Sequence, residues 1–72
     1  MKIFKENECL TLTKSINAQI IGEGSELTLA VGTIATVVLV HGDPDRPSAY
    51  EIEAYIAEQD CYALATIAVG DI

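Results

Sequence analysis

Apolar and polar residues alternate over residues 49–67, which run AYEIEAYIAEQDCYALATI. Because successive side chains of a β-strand point to opposite faces, the first half of this segment would have one apolar face. That face would consist of Tyr50, Ile52, Ala54 and Ile56. Glu51, Glu53 and Tyr55 would lie on the other face. The pattern therefore predicts a strand with one buried face and one acidic face that carries an aromatic ring.

The same segment also has a helical periodicity. Ile52, Tyr55, Ile56 and Gln59 are spaced for one face of a helix, and Ala, Glu, Gln and Leu favour helices. Tyrosine and isoleucine favour sheets instead. We therefore predict a hairpin with strands at residues 49–56 and 61–67, joined through residues 57–60, and keep a helix as the alternative.

Residues 27–40, LTLAVGTIATVVLV, are rich in β-branched side chains, which lose rotamer freedom in helices and pack well on a sheet. Gly32 divides this run at a point suited to a bulge or a tight turn. The run predicts a short strand that ends near Val31 and a long strand over residues 34–40. A further short strand is predicted over residues 8–13, ECLTLT, with Leu10 and Leu12 on one face.

Two segments have the composition of loops. Residues 14–26 contain two glycines, an asparagine and two serines, and residues 41–48, HGDPDRPS, contain one glycine and two prolines. Five short strands then remain for a single domain over residues 1–72. A chain this short avoids exposed sheet edges by closure. The sequence therefore predicts a mainly β fold, a closed or nearly closed five-stranded barrel.

The charge is unevenly distributed. The net charge is −7, and three of the four cations, Lys2, Lys5 and Lys14, lie in the first fourteen residues. Arg46 is the only later cation, against nine carboxylates from residue 23 to residue 71. Proteins that grip phosphates need clustered lysine and arginine, so we expect no nucleic-acid partner and no membrane. An acidic surface attracts basic protein surfaces instead, unless its charge serves only solubility.

Residues 34–40 form the longest apolar run, far shorter than the roughly 20 residues that a membrane helix needs. Acidic residues follow Met1 closely where a signal peptide would be apolar, so we expect a cytoplasmic protein. Cys9 and Cys61 form no C-x-x-C pair. They are predicted to be buried free thiols, with a disulfide as the alternative.

The segment H-G-D-P-D places three groups able to bind a metal, His41, Asp43 and Asp45, within five residues. A single histidine without a second nitrogen or sulfur ligand makes a poor transition-metal site. Glycine and proline favour a turn in which an aspartate caps its own backbone. We expect no metal and no cofactor. No nucleophile motif or phosphate loop is present, which indicates that the protein is not an enzyme.

Two sequence blocks resemble a known family. Residues 32–38, GTIATVV, resemble a glycine-headed "GTVV" strand, and residues 49–53, AYEIE, with residues 62–67, YALATI, resemble an "AYEVEF … ALVTL" hairpin. These are features of a family of small bacterial proteins catalogued as domain of unknown function 4926. Ala35 stands where that family has a second glycine, and the loop at residues 43–48 is longer. The resemblance implies an SH3-like barrel and a small partner of a larger protein, in the manner of an antitoxin or an immunity protein.

Charge and resemblance lead to one hypothesis about function. The chain would be an inhibitor that occludes a basic partner protein, such as a toxin, because carboxylates can occupy a cleft made for phosphates. The predicted partner-binding residues are Glu51, Glu53, Tyr55, Asp43, Asp45, Glu58 and Asp60. The alternative is a structural accessory subunit or a self-assembling module, such as a homodimer, with no inhibitory role.

Overall fold

The computed structural model describes residues 2–72, and strands dominate this part of the chain. The six strands are β1 (Cys9–Thr11), β2 (Ile16–Ile20), β3 (Glu26–Leu29), β4 (Ile34–Asp43), β5 (Arg46–Ile56) and β6 (Cys61–Ala68). Two single-turn 3₁₀ helices, Ala57–Gln59 and Val69–Asp71, follow β5 and β6.

The strands form one antiparallel sheet in the order β1-β4-β5-β6-β2-β3, curled into a half-barrel. The predicted mainly β, barrel-like fold is confirmed. The sheet has six strands rather than five, and it is not closed. In the described residues 2–72, β1 and β3 each pair with a single neighbouring strand, so both are edge strands.

The additional strand is β2, which lies in the segment that we predicted to be a loop over residues 14–26. Ile16, Ala18 and Ile20 point toward the interior, whereas Asn17 and Gln19 are exposed. This period-two pattern is short and is followed by Gly22 and Gly24 in a turn. β2 is held from both sides, because it pairs with β3 along its length and with β6 near its end.

The predicted turn over residues 41–48 is also much shorter in the structure. β4 extends to Asp43 and β5 begins at Arg46, so residues 44–45 alone connect them. The Asp45 N–H donates to the Asp43 carboxylate over 2.9 Å, which confirms the aspartate cap. Gly42 has a φ of 87° at a register shift in the ladder, a backbone geometry that favours glycine.

Pro47 lies inside β5, although a proline has no N–H for the ladder. It pairs with Gly42 beside the register shift on one side. On the other side, the ladder between β5 and β6 begins only at Ala49, so no strand requires the missing donor. The proline is therefore tolerated within a long strand.

The hairpin of β5 and β6 matches the prediction closely, and the helix alternative is wrong. The two strands pair from Ala49 opposite Ala68 to Ile56 opposite Cys61. The first 3₁₀ helix makes the connection and is followed by Asp60, whose φ of 47° is left-handed. β-Branched and aromatic side chains across this hairpin outweigh the helix preference of its alanines and glutamates.

The core lies on one side of the curled sheet. Tyr50, Ile52 and Val37 are fully buried there, with Leu12 and Ile67 almost fully buried. The segment before β1 covers the core through Phe4, whose ring meets the Tyr50 ring edge-on at 5.8 Å. The Phe4 N–H donates to the Tyr50 hydroxyl oxygen over 3.0 Å. Tyr50 therefore joins the centre of the sheet to the N-terminal segment.

Both cysteines are free thiols, as predicted, but neither is buried. Cys9 is exposed on β1 beside the Thr36 hydroxyl, and Cys61 is half-buried at the start of β6. Cys9 points away from the core, because Leu10 next to it faces inward, whereas Cys61 is on the core-facing side of β6 with Ala63 and is only half-buried because it lies at the end of the strand. None of the helical segments in residues 2–72 is long and apolar enough to cross a membrane.

Candidate acidic interface

The side of the sheet opposite the core, called the outer face here, carries the residues of the predicted acidic face. Strand alternation places Glu51, Glu53 and Tyr55 there from β5, as predicted. Register brings three side chains of β6 beside them: Tyr62 opposite Tyr55, Leu64 opposite Glu53 and Thr66 opposite Glu51. The outer face therefore combines carboxylates with exposed apolar groups.

Glu51 is held by its neighbours on both sides. Its Oε1 accepts a hydrogen bond from the Thr66 hydroxyl at 2.6 Å and lies 3.2 Å from His41 Nε2. The Glu51 side chain is also half-buried, at 28% exposure. Because these contacts join β4, β5 and β6, Glu51 stabilises the sheet, and its side chain has little freedom to contact a partner protein.

Glu53 has a different environment. It lies in a row of side chains that crosses the whole sheet, between Thr36 on β4 and Leu64 on β6, and this row continues to Gln19 and Glu26. Among residues 2–72, no side chain forms a hydrogen bond or an ion pair with the Glu53 carboxylate. Glu53 therefore places a carboxylate without a partner in the described residues at the centre of the outer face.

An aromatic pair lies next to Glu53 along the hairpin. The Tyr55 and Tyr62 rings are 5.2 Å apart and tilted by 56°, and about half of each residue is exposed. The Tyr55 hydroxyl donates to Asp60 Oδ1 at 2.6 Å, and Glu58 is exposed on the neighbouring 3₁₀ helix. The structure thus brings together three predicted residues, Tyr55, Glu58 and Asp60.

Tyr62 and Leu64 were missing from the predicted set. Their signal was present in the sequence, because Ala63, Ala65 and Ile67 form the buried alternate positions of β6. Tyr62 and Leu64 must then share the opposite face with Glu53 and Tyr55. Locating them required the register of the hairpin as well as its existence.

The hydrogen bond to Asp60 is the main cause that raises the pKa of Tyr55 above its ordinary value, and desolvation, Tyr62 and Cys61 act in the same direction. A tyrosine that donates to a carboxylate loses its proton less readily, because ionisation breaks the bond and places two negative charges together. We predict that Asp60→Asn lowers the Tyr55 pKa. NMR titration of the tyrosine ring signals measures this, and an unchanged Tyr55 midpoint in the variant would contradict the assignment.

The raised pKa also has a consequence for stability. Below the ordinary pKa of tyrosine, near 10, both the folded and the unfolded chain keep the Tyr55 proton, and its contribution is fully present. As the pH rises further, the unfolded chain releases the proton first, so the contribution is lost through the folded pKa. The fold is therefore expected to weaken above pH 10, and less so in Asp60→Asn.

Asp43 and Asp45 lie far from this group. They flank the connection of β4 and β5, at the end of β5 opposite to Tyr55. Ten residue steps of a strand separate the two ends, which is roughly 33 Å. The seven predicted residues therefore form three groups. They are Glu51 and Glu53 in the middle of β5, Tyr55 with Glu58 and Asp60 at its end, and Asp43 with Asp45 at the connection of β4 and β5.

A cleft of about 400 Å³ opens on the outer face where β2 diverges from β6. The ladder between these strands contains only Gln19 opposite Leu64 and Ile20 opposite Ala63. The cleft is lined by Asn17, Ala18, Gln19, Glu26, Glu51, Leu64, Ala65 and Thr66. Two carboxylates and several uncharged hydrogen-bonding groups thus surround a space that suits a positively charged side chain.

The arrangement of His41, Glu51 and Thr66 differs from that of a nucleophilic triad. In such a triad the histidine lies between the nucleophile and the carboxylate, whereas here the carboxylate lies between the hydroxyl and the imidazole. Across residues 2–72, no group of three or more His, Cys, Asp or Glu side chains is placed to hold a metal ion. His41 instead contacts Glu51, and Asp43 accepts the hydrogen bond of the Asp45 N–H, so both side chains make contacts within the hairpin of β4 and β5.

The chain matches no protein-family model, and no curated protein or solved structure is detectably similar to it. The resemblance to domain of unknown function 4926 therefore stays a prediction.

Proposed function

We propose that this chain is a small acidic binding protein that docks its outer face on a basic surface of a partner protein. In the manner of an antitoxin or an immunity protein, it would act by covering that surface. The residues proposed to make the contact are Glu53, Tyr55, Glu58, Asp60, Tyr62 and Leu64. Glu51 supports the face from within the sheet.

The observation that carries this proposal is the position of Glu53. Its carboxylate has no partner within the described chain, yet it lies half-buried at the centre of the outer face, beside two exposed tyrosines. Binding hot spots are enriched in tyrosine and cluster near the centre of an interface. A basic side chain from a partner would pair with Glu53 while its apolar stem packs on the rings.

The charge of the whole domain supports the same proposal. From residue 15 onward, Arg46 is the only cation, and it lies at the far end of β5. Lys14 is paired with Asp71 at 3.0 Å, away from the outer face. The field above the outer face is therefore negative, which accelerates encounter with a basic surface. The cleft beside Glu51 and Glu26 offers a second place for a lysine or arginine side chain.

Affinity capture from native lysate, followed by mass spectrometry, tests this proposal. The baits are the wild-type chain, Glu53→Lys and Glu6→Lys, each at low and at high salt. Glu6 is exposed before β1 and provides a control with the same change of net charge. We expect a basic protein that the wild type and Glu6→Lys retain, that Glu53→Lys loses, and that salt weakens.

Recovery of no protein, or of the same proteins with all three baits, would contradict the proposal. The second candidate function, a self-assembling or accessory subunit, is favoured by exposed apolar residues on β4, namely Ile34, Val38 and Leu39. Light scattering distinguishes the two. An oligomer that persists at high salt would support self-assembly, and a monomer would count against it.

A further inference from the structure

The proposed function leaves one edge of the sheet without a role. In residues 2–72, β3 pairs with β2 alone, so its other edge has no strand beside it. The Ile20 N–H donates to the Ser25 carbonyl at 2.8 Å, in the same register that pairs Gln19 with Glu26. Backbone groups alternate in direction along an antiparallel strand. Leu27 and Leu29 therefore bond to β2, and the N–H and C=O groups of Glu26 and Thr28 point away from the sheet.

A groove of about 510 Å³ lies along this free edge. One wall comes from residues 27–30, and the other comes from the end of β5 with the first 3₁₀ helix. Leu27 and Ile56 supply apolar lining from the margin of the core. Glu58 lies at the groove itself, and Glu26 lies on the same edge. The groove thus combines free backbone groups, an apolar floor and negative charge.

We propose that this groove binds an extended segment of the basic partner protein, which adds to β3 as a further antiparallel or parallel strand. The inference rests on the proposed function, since it names how that partner is held. Main-chain hydrogen bonds to Glu26 and Thr28 supply affinity for any extended segment, and the side chains select among them. Alternate aliphatic residues of the segment pack on Leu27 and Ile56, and the intervening basic residues meet Glu26 and Glu58.

Charge identifies the occupant as a basic segment. No lysine or arginine lies between residues 15 and 45, and none follows Arg46. A second copy of the chain would bring a net charge of −7 to this edge, where Glu26 and Glu58 already lie. A basic strand removes this repulsion and gains attraction instead.

The test uses the whole chain with a capped synthetic peptide of alternating valine and lysine, six residues long. A second peptide has the same side chains but carries N-methyl groups on the residues whose N–H would face β3. Binding is measured by calorimetry at low salt. We expect the wild type to bind the first peptide about tenfold more tightly than the second, because N-methylation removes the strand hydrogen bonds.

Two variants of Thr28 provide matched controls. Thr28→Pro removes the outward N–H without breaking a bond to β2, and edge strands tolerate such a proline. Thr28→Val keeps the N–H and loses the same hydroxyl contact with Asn17. We expect Thr28→Pro to bind the first peptide about tenfold more weakly than Thr28→Val does, and slowed hydrogen exchange at Glu26 and Thr28 in the wild-type complex.

Equal binding of both peptides, or no binding of either, would overturn the inference. Glu53→Lys distinguishes this site from the outer face, because Glu53 is three strands away from Glu26 and does not line the groove, although Tyr55, two residues further along β5, does. If the groove is the site, the affinity of Glu53→Lys for the peptide is within about twofold of that of the wild type, because the substitution acts only through the net charge of the domain. If Glu53→Lys abolishes peptide binding while Thr28→Pro leaves it intact, the edge has no role and the proposed function still stands.

Discussion

Tyr50→Ala is expected to remove about half of the free energy of unfolding. Tyr50 has no exposed surface, packs edge-on against Phe4 and accepts a hydrogen bond from the Phe4 N–H. Truncating a large buried aromatic residue costs about 3–5 kcal/mol, because the transfer free energy is lost and a cavity remains. A domain of this size has roughly 4–11 kcal/mol in total. Urea denaturation followed by circular dichroism measures the loss.

Tyr50→Phe separates the two contributions of this residue. Phenylalanine keeps the ring packing but leaves the Phe4 N–H without its acceptor, and an unpaired buried donor costs about 1–3 kcal/mol. We therefore expect Tyr50→Phe to be intermediate between the wild type and Tyr50→Ala. Equal stability of the wild type and Tyr50→Ala would show that Tyr50 does not connect the N-terminal segment to the core.

The second large effect concerns binding. Glu53→Lys is expected to weaken equilibrium binding of the captured partner about 100-fold, because like charges placed together in an interface cost several kcal/mol. Part of the loss comes from slower association, since the variant reduces the field that attracts a basic surface. The fold should remain intact, because Glu53 forms no hydrogen bond within the described chain.

Glu51 is the less suitable residue for this test, although the sequence pairs it with Glu53. Glu51→Lys would lose the Thr66 hydrogen bond and place a positively charged group beside the His41 ring in place of the carboxylate. The variant would change the sheet as well as the surface. A loss of binding in Glu51→Lys could then come from either cause, whereas Glu53→Lys changes the surface alone.

The sequence was most informative where alternation was strong. β5 and β6 alternate clearly, so their hairpin, their buried residues and the acidic face follow from period-two patterning. β2 was missed because only Ile16, Ala18 and Ile20 alternate, next to Gly22 and Gly24. Its stability comes from pairing with β6, more than forty residues later, which local sequence does not reveal.

The details of the site depend on register, which the sequence did not specify. The contact of Glu51 with His41 depends on a register shift between Val37 and Leu39 on β4. The shift changes which residue of β4 lies beside Glu51. Two glutamates at alternate positions therefore could not show that the Glu51 carboxylate is hydrogen-bonded to its neighbours whereas the Glu53 carboxylate is not.

The decisive measurement for a binding role of Glu53 is the association rate and the affinity of the captured partner for three chains. The chains are the wild type, Glu53→Lys and Glu6→Lys, compared by surface plasmon resonance at two salt concentrations. We expect that Glu53→Lys alone loses about 100-fold in affinity, and that high salt reduces the difference in affinity between Glu53→Lys and the wild type. Equal affinities for Glu53→Lys and Glu6→Lys at low salt would contradict a binding role for the outer face.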